Sequence, residues 1–450
     1  MRPSRFPRVG AVPTLALLAL FLLPALSGTT GEARAQAAPA PAVQLDPEIE
    51  ALLAQVEPER LQAIVDTLAA FGSRNTMSDT EHPEWGIGAA RDWILETFEG
   101  YSPRLQVEFD TYQVEPAGRI RIPTDLRNVK AILPGRTDRR VYVTGHYDSV
   151  VYGDPPEGAE VPDAPVDGPF DEYAPGANDD ASGVAIVMEL ARILANSGKE
   201  FDATLVFMPI AGEEQGLVGA GLHAERISEE GVEVTAVFNN DIIGNSIGGN
   251  GILDSRTVRI FSEGPEDSMS RHLARYIHRI GSLYVPGHEI RLIAREDRFL
   301  RGGDHTPFNR AGFTAVRMTE SRENYARQHT VLDTPDGIDA EYLARNARVN
   351  LAGVASLGLA PDTPGVTAQM LGRGDGYDAQ LRWQPSEGAV GYRVFWRTAW
   401  GPDWQHELWV GDVTEFVLRD MSIDDFVFGV AAVGPDGHES LVAPFVRPPR

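Results

Sequence analysis

The sequence predicts an α/β protein in which a mostly parallel central sheet lies between helices, followed by a small all-β sandwich. Three observations predict it. Helical and strand periodicities alternate from about residue 46 to residue 357. Thr204–Ile210 is apolar at successive positions, as a strand covered on both faces must be. Past Pro361-Asp362-Thr363-Pro364 the pattern changes to short strand-like runs separated by turn residues, with no helix evident.

In chain order, the first segment reads as targeting. Arg2, Arg5 and Arg8 precede an apolar stretch from Ala11 to Leu26, and Ala33-Arg34-Ala35 has the small-x-small spacing of a cleavage site, so residues 1–35 are expected to be a signal peptide. Pro13 and Pro24 interrupt the apolar stretch, and no membrane span is expected after cleavage. No cysteine follows to carry a lipid, which makes a secreted or periplasmic protein the expectation. Residues 36–45, rich in Ala and Pro, read as a disordered lead-in. Helices are expected over Asp46–Leu68 and Trp85–Phe98, where apolar residues recur at helical spacing. Strands at Leu105–Tyr112, Asn128–Leu133 and Arg140–Thr144 then lead to His146. Helix Val184–Ala195, strand Thr204–Ile210, helix Leu217–Ser228 and strand Val234–Asn239 continue the alternation. Strand Val258–Phe261, helix Glu266–Ile280, strand Phe313–Met318 and helix Ala340–Leu357, capped by Asp339, complete it. Short strands follow at Ala379–Trp383, Tyr392–Arg397, Glu407–Val410, Thr414–Leu418 and Phe426–Val433. The domains expected are therefore 46–360 and 365–450.

Charge and composition narrow the chemistry. With 40 Lys and Arg against 65 Asp and Glu, the net charge of −25 repels phosphate backbones, and nucleic acid is not an expected partner. The absence of cysteine removes disulfides, thiolate ligands and cysteine nucleophiles, so a metal site must use His, Asp and Glu.

Five short segments carry such residues, most of them just past a predicted strand, where open α/β sheets place their sites. Gly145-His146-Tyr147-Asp148 closes a strand; in extended backbone His146 and Asp148 face the same way, so the carboxylate can accept from the imidazole nitrogen that a metal leaves free. Taken alone it also reads as a surface His beside an Asp. Pro175-Gly176-Ala177-Asn178-Asp179-Asp180-Ala181-Ser182-Gly183 precedes a helix and reads either as its cap or as an acid-bearing turn. Ile210-Ala211-Gly212-Glu213-Glu214-Gln215-Gly216 follows the most buried strand. Neighbouring positions there point different ways, so one carboxylate can bind a metal while the other faces its water, a division metal-assisted hydrolysis requires; two solvated loop acids are the alternative. Asn239-Asn240-Asp241 ends an apolar strand in an acid, and Gln328-His329-Thr330 has Tyr325 upstream and Asp333-Thr334-Pro335 after it.

Together these segments carry a resemblance. The order His-x-Asp, Pro-Gly-Ala-x-Asp-x-Ala-Ser-Gly, Glu-Glu-x-Gly, a strand-end Asp and a late His resembles peptidase family M28, two-zinc exopeptidases that include leucyl aminopeptidases, glutamate carboxypeptidases and glutaminyl cyclases. The resemblance covers roughly residues 50–358 and implies the zinc exopeptidase fold, two Zn2+ per chain and a peptide or small peptide-like substrate. It implies that Asp179 bridges the ions, that His146 and Asp241 complete one position and Glu214 and His329 the other. It also implies Asp148 as the carboxylate behind His146, Glu213 as the general base for a metal-activated water, and a cis peptide at Asp179–Asp180.

Gly303-Asp304-His305 resembles a family segment that lines the site, and Tyr325 lies near the position of a phenol that contacts substrate; Asp304 and Tyr325 are thus substrate-binding candidates, and His305 is not an expected ligand. His82, His223, His272, His278, His288, His406 and His438 have no acidic partner arrangement of this kind and read as structural or solvated. An exported aminopeptidase is the activity expected from the resemblance. A carboxypeptidase is the first alternative, because Arg295, Arg298, Arg301, Arg322 and Arg327 lie near the relevant loops. Glutaminyl cyclase comes next, with Gln328 standing where cyclases commonly carry Trp, and then a non-catalytic binding protein on the same fold. The acidic insertion 152–173 is either a rim over the cleft or a solvated loop. Residues 365–450, with Trp383, Tyr392-Arg393-Val394 and Phe426–Val433, loosely resemble a fibronectin type III module, a kind that leaves open a surface or carbohydrate contact.

Overall fold

The computed structural model describes residues 45–159, 161–371 and 378–445; the expected signal peptide and nearly all of the lead-in lie outside them. Where one helix is expected over Asp46–Leu68, two form, α1 (Pro47–Leu53) and α2 (Pro58–Ala70). Pro58 is the reason: inside a helix it would remove a backbone donor and clash with the preceding turn, whereas at the first position of a new one it costs nothing. After α3 (Gly86–Tyr101) come β1 (Gln106–Val114), β2 (Thr124–Leu133), β3 (Arg140–His146), α4 (Ser182–Asn196), β4 (Thr204–Ile210), α5 (Val218–Glu229) and β5 (Val234–Asn240). Then follow β6 (Thr257–Ser262), α6 (Met269–Tyr284), β7 (Glu289–Ile293), α7 (His305–Arg310), β8 (Ala315–Glu320) and α8 (Ala340–Leu359). Asp339 caps α8 by accepting the Tyr342 N–H at 3.0 Å. The short β7 and α7 have no counterpart in the sequence reading, because five or six residues hold too little of either period.

These strands form one eight-stranded sheet in the order β1-β2-β4-β3-β5-β8-β6-β7. Its centre, β4-β3-β5-β8, is parallel, as is the β6–β7 pair. The hairpin β1-β2 and the β2–β4 and β8–β6 pairings are antiparallel, so the sheet is mixed, with the parallel part where the site lies. Period-two alternation divides β4 between two cores. Leu205 and Phe207 pack on the side of α2, α4 and α8, whereas Val206 and Met208 pack with Ala220 and Ala224 of α5. All seven residues of β4 are buried, which is why the run is apolar without alternation. Among the described residues no helix is long and apolar enough to cross a membrane.

A buried polar knot fixes the hairpin to α5. His223 Nδ1 lies 2.9 Å from Asp110 Oδ2, which also accepts from Asn128 Nδ2 and the Tyr112 hydroxyl at 3.1 Å, while Arg226 pairs with the other oxygen. Asn128 Oδ1 in turn accepts the Ala211 N–H at 3.0 Å, holding the start of the Glu213 loop. Burial by itself would raise the Asp110 carboxyl, but His223, Asn128 and Arg226 outweigh it and hold it below the usual carboxylate range. Because the folded value is depressed, the stabilisation is complete above the unfolded pKa of about 4 and fades as pH falls below it. Asp110→Asn is therefore expected to lower unfolding free energy by roughly 3 kcal/mol at pH 7. Urea melts of variant and parent should converge at acid pH, and a constant difference would contradict this account.

Beyond α8 lie two antiparallel sheets. One has the order β13 (Glu415–Leu418), β10 (Ala379–Trp383), β9 (Val366–Leu371); the other has β12 (His406–Gly411), β11 (Gly391–Thr398), β14 (Phe426–Val433), β15 (Ala443–Pro444). Trp383, Tyr392, Phe428 and Val430 fill the core between them. This unit rests on α6 through charge and stacking: Arg279 pairs with Glu407 and Glu439, the latter also held by Arg393 within the unit, and the Trp404 ring stacks on His272 at 5.4 Å. His278 lies 2.7 Å from Asp403, and His438 lies 3.1 Å from Asp46. Three of the seven histidines read as structural or solvated, His223, His278 and His438, thus pair with an aspartate. The partners come from distant segments that one-dimensional spacing does not bring into view.

Candidate metal centre

Five segments converge at one cleft of about 560 Å³, lined by Asp179, Glu213, Glu214, Asp241 and His329, with His146 buried against Asp179. His146 ends β3, the Glu213-Glu214 loop follows β4, Asp241 follows β5, Asp179 precedes α4, and His329 lies between β8 and α8. Close approach of α4 to the strand ends needs glycine. A Cβ on Gly183 would meet an Asp180 carboxylate oxygen at 2.4 Å and the Asn240 carbonyl at 2.5 Å. Non-glycine residues with positive φ cluster here too: Leu217 (63°), Ile242 (55°) and His329 (56°) each sit in a loop that carries a donor. Such conformations cost energy and persist where surrounding contacts over-determine them. The Asp179–Asp180 peptide is cis.

The donors form two triplets that share Asp179, namely His146, Asp179 and Asp241, and Asp179, Glu214 and His329, with the ligand atoms of each triplet within 4.8 Å of one another. Asp179 Oδ1 lies 3.1 Å from His146 Nε2, and its Oδ2 lies 3.0 Å from His329 Nε2. Asp241 Oδ1 is 3.9 Å from His146 Nε2, and Glu214 Oε1 is 3.2 Å from His329 Nε2. Glu213 joins His146 and Glu214 in a third such group.

The electrostatics suit cations. Burial lowers the affinity of His329 for a proton, yet Asp179 and Glu214 reverse this and push it up to about 11; His146 is raised in the same way by its acidic neighbours. Burial first, then the charges of Asp241, Glu214 and Asp304, push the Glu213 carboxyl up. Glu214 Oε1 is buried and receives no hydrogen bond.

Asp148 differs from its expected role. His146 Nδ1 faces the Asp148 backbone carbonyl at 3.0 Å, while the carboxylate stands off at 3.6 Å. That carboxylate instead accepts the Glu213 and Glu214 N–H groups at 3.2 and 3.1 Å and the Thr76 hydroxyl at 3.2 Å, so it aims the paired glutamates. Alternation correctly put His146 and Asp148 on one side, but the backbone turns after β3 and offers its own carbonyl. Tyr325 is 67% exposed and does not line the cleft. The phenol at the cleft is Tyr152, whose ring meets His329 edge-on at 5.2 Å and whose N–H donates to the His329 carbonyl at 3.0 Å. Asp304 is buried just outside the cleft lining, with neither carboxylate oxygen hydrogen-bonded, and burial pushes it up to about 8. His305 Nε2 faces the Glu296 carbonyl at 2.8 Å and belongs to none of the donor groups. Of the acidic insertion, Tyr152 alone is among the cleft-lining residues; of the five arginines weighed, Arg298 and Arg301 line it, joined by Arg119 and Arg310.

Three supporting residues escape the sequence reading. Asp333 accepts the Asn178 and Asp179 N–H groups at 2.9–3.2 Å. Arg317, wholly buried, places Nη2 2.8 Å from Asp241 Oδ1. Arg74, also wholly buried, donates to the carbonyls of Tyr147, Leu68, Pro175 and Gly176 at 2.6–2.9 Å and so ties the Asp179 turn to the strand that bears His146. Burial lowers its pKa to about 10, so it remains charged at neutral pH. Asp333-Thr334-Pro335, conspicuous beside His329, is the single signal of the three in sequence. Arg74→Met leaves several buried carbonyls without a donor and is expected to cost at least about 3 kcal/mol. The urea midpoint and retained zinc should fall together, and an unchanged midpoint would contradict the tie.

A model of peptidase family M28 matches residues 128–354. A probable zinc metalloprotease of Pyricularia oryzae is 40% identical over 437 residues, covering 88% of this chain and 84% of its own. Another, of Leptosphaeria maculans, is 38% identical and covers 88% of this chain and 97% of its own. Among solved structures, the Legionella pneumophila LapA aminopeptidase matches 70% of this chain and 76% of its own, with a TM-score of 0.54 and 20% identity. A Porphyromonas gingivalis glutaminyl cyclase matches 66% and 97%, with a TM-score of 0.53 and 17% identity, so these two likenesses concern the fold. With its family model laid over the sheet and donor loops and its relatives aligned along nearly the whole chain, the protein belongs to peptidase family M28 and is a zinc metallopeptidase.

Proposed function

We propose that the protein is an exported aminopeptidase that holds two zinc ions, one between His146, Asp179 and Asp241 and one between Asp179, Glu214 and His329. The observation that carries this reading is the pair of triplets sharing one carboxylate. The donor set fits the metal: nitrogen and oxygen ligands suit zinc, and ligands at about 2.0–2.1 Å in a tetrahedron stand roughly 3.3 Å apart. Here the neighbouring donors stand 3.0–3.9 Å apart. Zinc held there supplies Lewis acidity, polarising the scissile carbonyl and easing the ionisation of water.

The protein's own groups do the remaining work. Glu213, with its carboxyl raised and its backbone held by Asp148, takes a proton from the attacking water and returns it to the leaving amine nitrogen. Asp148 fixes the direction in which both glutamates project. Asp304, a proposed substrate contact, presents a buried carboxyl without a partner. The cleft acids, including exposed Glu296, favour a free ammonium terminus, and the fold likeness to an aminopeptidase agrees. A carboxypeptidase is the second reading, favoured by Arg119 and Arg310 on the cleft wall. The module after residue 364 is proposed to be fibronectin type III-like, and its two sheets, of three and four strands, support that. Export is proposed from the leader at residues 1–35.

The test is a substrate panel on the zinc-loaded chain, pairing peptides that have free and acetylated amino termini. Hydrolysis of the free forms with little or none of the acetylated ones is expected. Preferential cleavage of acylated peptides at a carboxyl-terminal residue would replace the aminopeptidase reading with the carboxypeptidase one.

A further inference from the structure

We propose that Arg317 makes the two cation positions unequal, so that the one formed by His146 and Asp241 binds zinc more weakly than the one formed by Glu214 and His329 and empties first. The proposal rests on the two-zinc reading above. Arg317 Nη2 lies 2.8 Å from Asp241 Oδ1, the same oxygen that lies 3.9 Å from His146 Nε2. That oxygen is thus ion-paired with a guanidinium, whose Nη2 donates to the Asp241 backbone carbonyl at 3.4 Å, and the arginine charge offsets the carboxylate charge on which a dication depends.

Arg317 has no way to withdraw. It is wholly buried on β8, opposite Asn239 in register with β5, and its Nη1 donates to the Gly302 carbonyl at 2.8 Å and pairs with Asp297 Oδ2 at 3.2 Å. The wall behind it is closed, since a Cβ on Gly303 would lie 2.9 Å from Nη1. A guanidinium does not lose its proton in proteins, and a buried charge is weakly screened by salt.

The other position has no such partner among the described residues. Glu214 Oε1 receives no hydrogen bond, and Arg119 reaches the Glu214 backbone carbonyl at 2.9 Å, not its carboxylate. Gln328, a neutral amide, donates to Asp179 Oδ2 at 2.9 Å. Asp179 is shared by both triplets, and Glu213 groups with a histidine of one and a glutamate of the other, so neither biases the comparison.

The experiment equilibrates the zinc-loaded full chain against chelators of graded strength and measures retained zinc by atomic absorption. Release is expected in two steps separated by at least about tenfold in zinc affinity, with a plateau near one ion per chain. Asp241→Asn should keep the plateau ion, and Glu214→Gln should lose it. Arg317→Gln should strengthen the weaker step by about tenfold, and Arg317→Lys, which retains the charge, should leave the two steps apart. A folded Arg317→Gln chain with its two steps as far apart as in the parent would overturn the part given to Arg317; should that variant fail to fold by its thermal melt, the parent and the two ligand variants still decide whether the positions are unequal in the order proposed. Single-step loss of both ions would overturn the proposal and leave the two-zinc reading standing, as would a plateau ion that survives in Glu214→Gln but not in Asp241→Asn. A chain that takes up no zinc at any chelator strength would overturn both.

Discussion

Glu213→Gln is expected to lower turnover about 10²–10⁴-fold while the chain keeps its zinc. The substitution keeps the shape and the Asp148 contact to the backbone N–H, so the loop should stay in place. What it removes is the capacity to accept a proton, and the amide has none to return to the leaving nitrogen. Glu213 is the acid of the pair that lies outside both Asp179-centred triplets, so zinc content should be unaffected. The measurement is turnover on a peptide with a free amino terminus, beside zinc content per chain. Wild-type turnover would remove Glu213 from proton transfer; loss of zinc would make it a ligand.

Asp179→Ala is expected to release both ions and abolish activity. Its two oxygens face different histidines, Oδ1 toward His146 and Oδ2 toward His329, so one truncation takes a donor from each triplet. It also removes the negative charge between two sites meant to hold dications a few ångströms apart. By contrast, Asp241→Ala or Glu214→Ala takes a donor from a single triplet. Zinc content by atomic absorption, with circular dichroism to show that the sheet and helices persist, separates metal loss from unfolding. A folded Asp179→Ala chain that retained two tightly held ions would end the bridging assignment.

The chemistry was legible because it lies in contiguous segments. Pro175–Gly183 and Glu213-Glu214 combine residue types whose meaning survives in one dimension: acids at strand ends, glycines where backbone must approach closely, and a helix start behind them. The long elements were legible for a similar reason. Val184–Ala195 is long enough to display a full helical period, and Thr204–Ile210 is covered on both faces and so reads as an unbroken apolar run. Short elements such as β7 and α7 were not, and one expected helix became two because Pro58 cuts what periodicity alone joins.

The supporting residues belong to tertiary structure. Arg74, Asp333 and Arg317 each act on a donor segment from far along the chain, and a buried arginine looks in sequence like a solvated one until its partners are known. Tyr325 lies near the position the resemblance gives to a phenol, yet the loop turns it to solvent, while Tyr152, 177 positions before His329, meets that histidine edge-on. Asp148 kept its place beside His146 but took backbone amides as its partners. The sequence by itself determined the fold class, the donor types and the strand ends that carry them, since hydrophobic period and ligand chemistry are local properties of the chain. Which side chain faces which, and with what charge behind it, was decided by packing, because burial and hydrogen-bond geometry arise between segments that the order of residues leaves far apart.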